Sequence, residues 1–316
     1  MYKQFFGLRA NPFNVNPDPR YLFLTRQIRE ALACLTYGIQ NRKGFVLLTG
    51  EVGTGKTTLL NKLLEWLKMQ RVSTAFLFNP RLSVREFFDY MLNDFGILSE
   101  SQDKSQVLLR LNHWLLDRYR AGETAVLIVD EAQNLSPELL EEIRLLTNLE
   151  TTTEKLLQIV LCGQPELEYK LKDPKLRQLR QRITLRSRTH PLTREETHAY
   201  VAQRLHVAGS NGQPIFGPDS LDLIFQYARG IPRVINLLCE HALISAYVDQ
   251  VRLVSPLVIE TVAREFELDE IPPIPAGPQN GSGENLGLID ALRMLREEQR
   301  AVPPGGVNVD VVKENK

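Results

Sequence analysis

The chain has 316 residues, 43% of them hydrophobic and 24% charged, which are ordinary globular values and leave room for two domains. Its 38 basic and 38 acidic side chains give a formal net charge of zero, which excludes a global pull toward nucleic acid or an anionic membrane but not a local basic patch. Cys34, Cys162 and Cys239 are too far apart for any metal spacing, and His113, His190, His198, His206 and His241 form no ligand pair.

The N-terminus lacks the long apolar run of a signal peptide, and no stretch approaches the 18 or so apolar residues of a membrane span. The expectation is a soluble cytoplasmic protein, at most peripheral at the inner membrane, that docks on any membrane assembly rather than inserting.

Residues 1–44 form an N-terminal segment expected to pack on the nucleotide site. Asn11-Pro12-Phe13 and Asn16-Pro17-Asp18-Pro19 are turn clusters, and Arg26 to Gln40 has helical spacing with Ile28, Leu32, Leu35 and Ile39 on one face. Phe6, Phe13 and Tyr21 have two readings, as lining for an adenine pocket or as core filling.

Phe45-Val46-Leu47-Leu48 then reads as a buried strand running into Gly50-Glu51-Val52-Gly53-Thr54-Gly55-Lys56-Thr57. The pattern is G-x-x-x-x-G-K-[ST], the P-loop or Walker A motif, followed by Thr58 and a helical pattern to Leu67. Glycines at these positions let backbone N–H groups cradle phosphates, and the positive end of a helix dipole adds to the attraction. Lys56 is expected to reach the β- and γ-phosphates of ATP, and the Thr57 hydroxyl to bind Mg²⁺.

Ser73 to Asn79 reads as a second strand, Ser83 as the cap of the next helix, and Leu108, Leu109, Leu111, Trp114 and Leu115 as the core stripe of another. Ala125-Val126-Leu127-Ile128-Val129 is apolar throughout, as a parallel strand covered on both faces should be, and ends in Asp130-Glu131. This is the Walker B pattern: Asp130 would hold the metal and Glu131 would polarise the attacking water. Ser136-Pro137 opens a further helix, and Leu156 to Cys162 is another buried strand, ending at Gly163-Gln164-Pro165. Gln164 at that strand end is a candidate sensor of the γ-phosphate or the attacking water.

Alternating apolar runs and helical patterns from 45 to about 191 imply an α/β nucleotide-binding domain, a parallel sheet with helices on both faces. Nucleotide then sits at the carboxyl ends of the strands, where the P-loop, Asp130-Glu131 and Gln164 all fall. The segment 172–188 is the most basic of the chain, with Lys172, Lys175, Arg177, Arg180, Arg182, Arg186 and Arg188. Three readings compete for it: an arginine finger for a neighbour's nucleotide, with Arg182 ahead of Arg180; a phosphate-binding patch for DNA; or a solvated face.

From Thr193 the pattern is helical. Residues 192–268 are expected to form a small helical lid of four helices, and Arg233 on the first turn of one of them is placed to sense nucleotide. Residues 269–316 change composition to a Pro/Gly-rich linker and a mostly disordered tail, with one short amphipathic helix over 286–299.

In these motifs the chain resembles the AAA+ ATPases, and more closely the ExeA/GspA-like group linked to type II secretion, pilus and exopolysaccharide export. The resemblance covers about residues 1–268. It rests on the opening Tyr2…Phe5-Phe6-Gly7-Leu8…Pro12-Phe13…Pro17-Asp18-Pro19, on the P-loop with Thr57-Thr58, and on Asp130-Glu131-Ala132-Gln133-Asn134-Leu135. Gly163-Gln164-Pro165-Glu166-Leu167, Leu179-Arg180-Gln181-Arg182-Ile183 and Gly230-Ile231-Pro232-Arg233-Val234-Ile235-Asn236 follow in the same order. It implies a P-loop NTPase that forms a homo-oligomeric ring or filament with ATP and Mg²⁺ at subunit boundaries. It also implies Gln164 as sensor 1, Arg233 as sensor 2, and an arginine of 177–182 as the finger. The implied role is to drive or regulate assembly of an envelope machine through a membrane-assembly partner. The same core is similar to TniB/TnsC-like transposition ATPases, which leaves an ATP-dependent DNA-binding regulator as the alternative.

Overall fold

Residues 1–78, 81–98 and 103–268 are described by the structure, a computed structural model of the chain. Five strands form its centre: β1 (Phe45–Gly50), β2 (Val72–Leu77), β3 (Thr124–Val129), β4 (Leu157–Gly163) and β5 (Ile183–Thr189). All pair in parallel in the order β2-β3-β4-β1-β5. Every residue of β1 and β4 is buried, and apart from Thr49, Gln158 and the closing glycines their side chains are apolar, as in parallel strands covered on both sides. At the edge, β5 alternates instead, with Thr184, Arg186 and Arg188 exposed.

Two layers of helix enclose the sheet. Phe45, Leu47, Ala75, Leu127 and Ile159 share one apolar core with α4 (Val84–Asp94), α5 (Lys104–Arg120) and α6 (Pro137–Leu146). On the other side lie α2 (Arg26–Gln40) and α3 (Lys56–Lys68), where a Cβ on Gly38 would come within 2.5 Å of Val46 Cγ2. Local chemistry sets the helix starts: Thr25 caps α2, Ser83 closes a capping box with Glu86 on α4, and Ser136 caps α6 ahead of Pro137. In the α5 stripe, Leu111 and Leu115 are buried as the periodicity predicts, but Leu109 is 56% exposed and Val107 takes its place in the core.

A second apolar core belongs to α9 (Arg194–Val207), α10 (Pro218–Ala228), α11 (Pro232–Val248) and α12 (Pro256–Glu265). The chain's opening residues are built into it. Phe6, Leu8 and Phe13 are buried there, and the Tyr2 hydroxyl donates to both carboxylate oxygens of Glu240 at 2.8 Å. This settles two of the three early aromatics as core rather than pocket lining. From there the segment runs to α3, where Asn61 Nδ2 donates to the Pro17 carbonyl at 2.8 Å. No helix of the described residues is long and apolar enough to cross a membrane. The linker and short helix expected over 269–316 lie outside the described residues.

Candidate functional site

The P-loop joins β1 to α3. Gly53 and Gly55 hold φ of 79° and 91°, a left-handed backbone that L side chains adopt at a cost. Gly55 is the residue before α3, so Gly55, Lys56, Thr57 and Thr58 present the helix start to one cleft. Gly50 is needed for another reason: a Cβ there would lie 2.0 Å from Thr189 Oγ1 on β5. Thr54 closes the loop on itself, its hydroxyl donating to the Glu51 carbonyl at 2.7 Å and meeting Thr189 Oγ1 at 2.7 Å.

Lys56 is 6% exposed, and its Nζ donates to the carbonyls of Gly50 and Glu51 at 2.8 and 2.9 Å. A buried ammonium held by neutral carbonyls keeps its charge available to an anion in the cleft. The Thr57 hydroxyl donates to Asp130 Oδ2 at 3.1 Å, across 73 residues of sequence. Asp130 is 4% exposed and its Oδ1 accepts the Glu131 N–H at 2.9 Å. One hydroxyl and one carboxylate are hard oxygen donors suited to Mg²⁺, which usually takes its other ligands from phosphates and water. Among the described residues no group of three or more His, Cys, Asp and Glu side chains gathers to hold a metal alone.

Glu131 lines the same cleft and sits at φ 53°, ψ 36°, a left-handed conformation that costs a non-glycine residue about 1–3 kcal/mol. Gln164 does not lie free for a phosphate; its Nε2 donates to Glu131 Oε2 at 3.1 Å. Arg233 lines the cleft near the P-loop, its N–H donating to the Gly53 carbonyl at 3.2 Å and its Cβ 2.8 Å from where a Cβ on Gly53 would stand. The glycine thus admits the start of α11 against the loop. Burial beside Asp130 pushes the Cys162 thiol well above its usual range, so it stands in the core of β4 as an inert apolar group.

The basic segment is not one patch. Arg177, Arg180 and Arg182 belong to α8 (Arg177–Arg182), whereas Arg186 and Arg188 stand on β5. Arg188 is paired with Glu168, which also accepts from the Thr49 hydroxyl. Arg182 is bonded to the Thr147 hydroxyl, to Asn148 Oδ1 at 2.7 Å and to the Arg144 carbonyl at 3.4 Å, capping the end of α6. Arg180 is exposed.

The cleft has a volume of about 350 Å³ and lies between the P-loop, the N-terminal segment and the helical core. Sequence reasoning missed much of this wall: Asn16, Pro17, His190, Tyr200, Arg204 and Asn236. Tyr21, one of the three early aromatics, does line it. Arg204 is 6% exposed, stacks 4.6 Å from the Tyr21 ring centroid and 5.4 Å from that of Tyr200, and donates to the Pro12 and Asn14 carbonyls. The Asn236 amide oxygen accepts the Tyr200 hydroxyl at 2.9 Å. The expected packing of residues 1–44 on the site hinted at Asn16 and Pro17, and the Gly230-Ile231-Pro232-Arg233-Val234-Ile235-Asn236 run at Asn236.

This fold and this loop define a P-loop nucleotide-binding protein of the AAA+ class. A family model described as AAA domain matches residues 39–171. The chain is similar to general secretion pathway protein A of Aeromonas hydrophila, 48% identical over 248 residues. The match covers 78% of this chain and 45% of the relative, so the chain spans less than half of that protein's length. Solved structures share the fold at low identity. The Aeropyrum pernix ORC2 protein matches with a TM-score of 0.62 and 19% identity over 83% of this chain and 73% of that one. Cdc6p of Pyrobaculum aerophilum gives 0.61 and 19% over 78% and 70%, and the Drosophila ORC bound to DNA gives 0.58 and 17% over 89% and 75%.

Proposed function

We propose that the chain is a Mg²⁺-dependent ATPase that works as an oligomer, with nucleotide at subunit boundaries, to drive or regulate assembly of an envelope secretion or export machine. The observation that carries the ATPase reading is the convergence of Lys56, Thr57 and Glu131 on one cleft, with Asp130 bonded to Thr57 behind it, from two separate parts of the chain. The secretion role rests on the likeness to general secretion pathway protein A.

In this reading the P-loop N–H groups and Lys56 hold the β- and γ-phosphates of ATP, and Thr57 with Asp130 holds the metal. Magnesium supplies charge neutralisation across those phosphates when bound. Glu131 polarises a water. The water oxygen bonds to the γ-phosphorus as the bond to the bridging oxygen breaks, the carboxylate takes up the water proton, and ADP and phosphate leave. Arg233 senses the nucleotide from within the subunit. An arginine of α8, Arg180 before Arg182, completes the neighbour's site, and a membrane-assembly protein is the docking partner.

The test is ATP turnover of the purified chain as its concentration rises, with and without double-stranded DNA across a range of salt, beside Glu131→Gln. Turnover that climbs with protein concentration, ignores DNA and falls at least about a hundredfold in Glu131→Gln is the expected result. Stimulation by DNA that fades steeply with salt would instead indicate phosphate contacts and replace the secretion role with a DNA-bound switch. Turnover in Glu131→Gln equal to wild type would overturn the role given to that carboxylate.

A further inference from the structure

We propose that Gln133, two residues beyond Glu131, is the positioning residue that sets the Glu131 carboxylate for reaction. The proposal rests on the reading of Glu131 as the group that polarises water. Gln133 Nε2 donates to Glu131 Oε2 at 2.5 Å, and Gln164 Nε2 donates to the same oxygen at 3.1 Å. Two amides on one oxygen fix the plane of the carboxylate. They leave Oε1, which no protein donor is bonded to among the described residues, as the oxygen that can accept from a water.

The clamp is built to hold one orientation. Gln133 Oε1 accepts the backbone N–H of Gln164 at 3.0 Å. That bond decides which end of the amide is which, because only the NH₂ end can then face the carboxylate. Lys170 Nζ ties down the backbone of the same turn, donating to the carbonyls of Gln133 and of Leu135, the latter at 2.8 Å. Gly163 leaves the room: a Cβ there would stand 2.8 Å from Gln133 Oε1 and 3.3 Å from Gln133 N. The turn itself is tight, with Glu131 in a left-handed backbone conformation. Gln133 touches no phosphate in this reading; it acts through Glu131.

The test uses the full chain. Gln133→Met keeps length and flexibility but removes both amide bonds. Its affinity for a fluorescent ATP analogue should stay within about twofold of wild type. Its kcat should fall about tenfold to a hundredfold, the scale on which small misplacements of reacting groups act. A purely structural tie between the turn and β4 would also slow the enzyme, so the deciding measurement is single-turnover hydrolysis of labelled ATP in a Glu131→Gln background. With the carboxylate gone, Gln133→Met should cause no further loss. Gly163→Ala is a second variant that keeps every hydrogen-bonding group yet displaces the amide, and it should follow the same pattern if Gln133→Met folds poorly. A kcat for both variants within twofold of wild type, or a loss that adds in full to that of Glu131→Gln, would overturn the proposal. If Glu131→Gln itself turns over normally, the underlying reading fails; if it collapses while Gln133→Met does not, only the role of Gln133 fails.

Discussion

Gly53 and Gly55 occupy the same backbone region but face different surroundings, and the contrast measures how the P-loop is braced. An L residue in the left-handed region costs about 1–2 kcal/mol, so Gly55→Ala, whose Cβ would meet nothing within 4 Å, should lose about that much stability. Gly53→Ala has the same backbone cost, and its Cβ would also stand 2.8 Å from Arg233 Cβ and 3.0 Å from Ile231 Cγ2. Those are the stiff inner atoms of their side chains, and overpacking of that kind adds about 1–3 kcal/mol. For a domain of this size each kcal/mol lowers the melting temperature by about 2–4 °C, so Gly53→Ala should melt about 2–12 °C below Gly55→Ala. Calorimetry of both variants without nucleotide reads the difference. Affinity for ATP should fall in both, because both disturb the loop's N–H groups. Equal melting temperatures would refute the claim that the loop leans on the start of α11.

Two further expectations separate roles that share a neighbourhood. Arg182→Ala should cost about 1 kcal/mol of stability through the lost cap on α6, whereas Arg180→Ala should leave the melt unchanged and lower turnover. Adding Glu131→Gln subunits, which keep Arg180, should partly restore Arg180→Ala turnover; a normal rate in unmixed Arg180→Ala would remove Arg180 from the reaction. Thr57→Val should raise the Mg²⁺ concentration needed for half-maximal turnover about tenfold or more while leaving metal-free nucleotide binding nearly intact, and an unchanged magnesium requirement would dissociate the Thr57–Asp130 pair from the metal.

The strands and most helix starts were legible because their signals are local. Val129 ends an all-apolar run, Ser136 and Pro137 announce α6, and the helical pattern from Thr193 begins where Thr193 and Glu196 close a capping box on α9. The P-loop was legible for the same reason, since one short run carries its whole chemistry. What the sequence hid was long-range pairing. Gln133 looks like an ordinary turn residue until β4 brings Gln164 beside it, and Arg182 looks free until α8 lays it across the end of α6. Phe6 and Phe13 could not be told from pocket aromatics, because their partners come some 200 residues later on α9 to α12. The exposed Leu109 shows the opposite error, a periodic stripe read one position too wide.

The way the opening segment is built into the helical core has a temporal consequence. The Tyr2 hydroxyl waits for a carboxylate 238 positions away, and the Pro12 carbonyl for a guanidinium 192 positions away. At about 5–20 residues per second of synthesis, the earliest aromatics remain without their final neighbours for roughly 10–50 seconds after they leave the ribosome. The α/β half can close on itself before then, but the wall of the cleft formed by Tyr21 and Arg204 cannot. A nascent chain thus has its phosphate loop before it has a complete nucleoside chamber, which waits for Tyr200 and Arg204 of α9 and for Arg233 and Asn236 of α11.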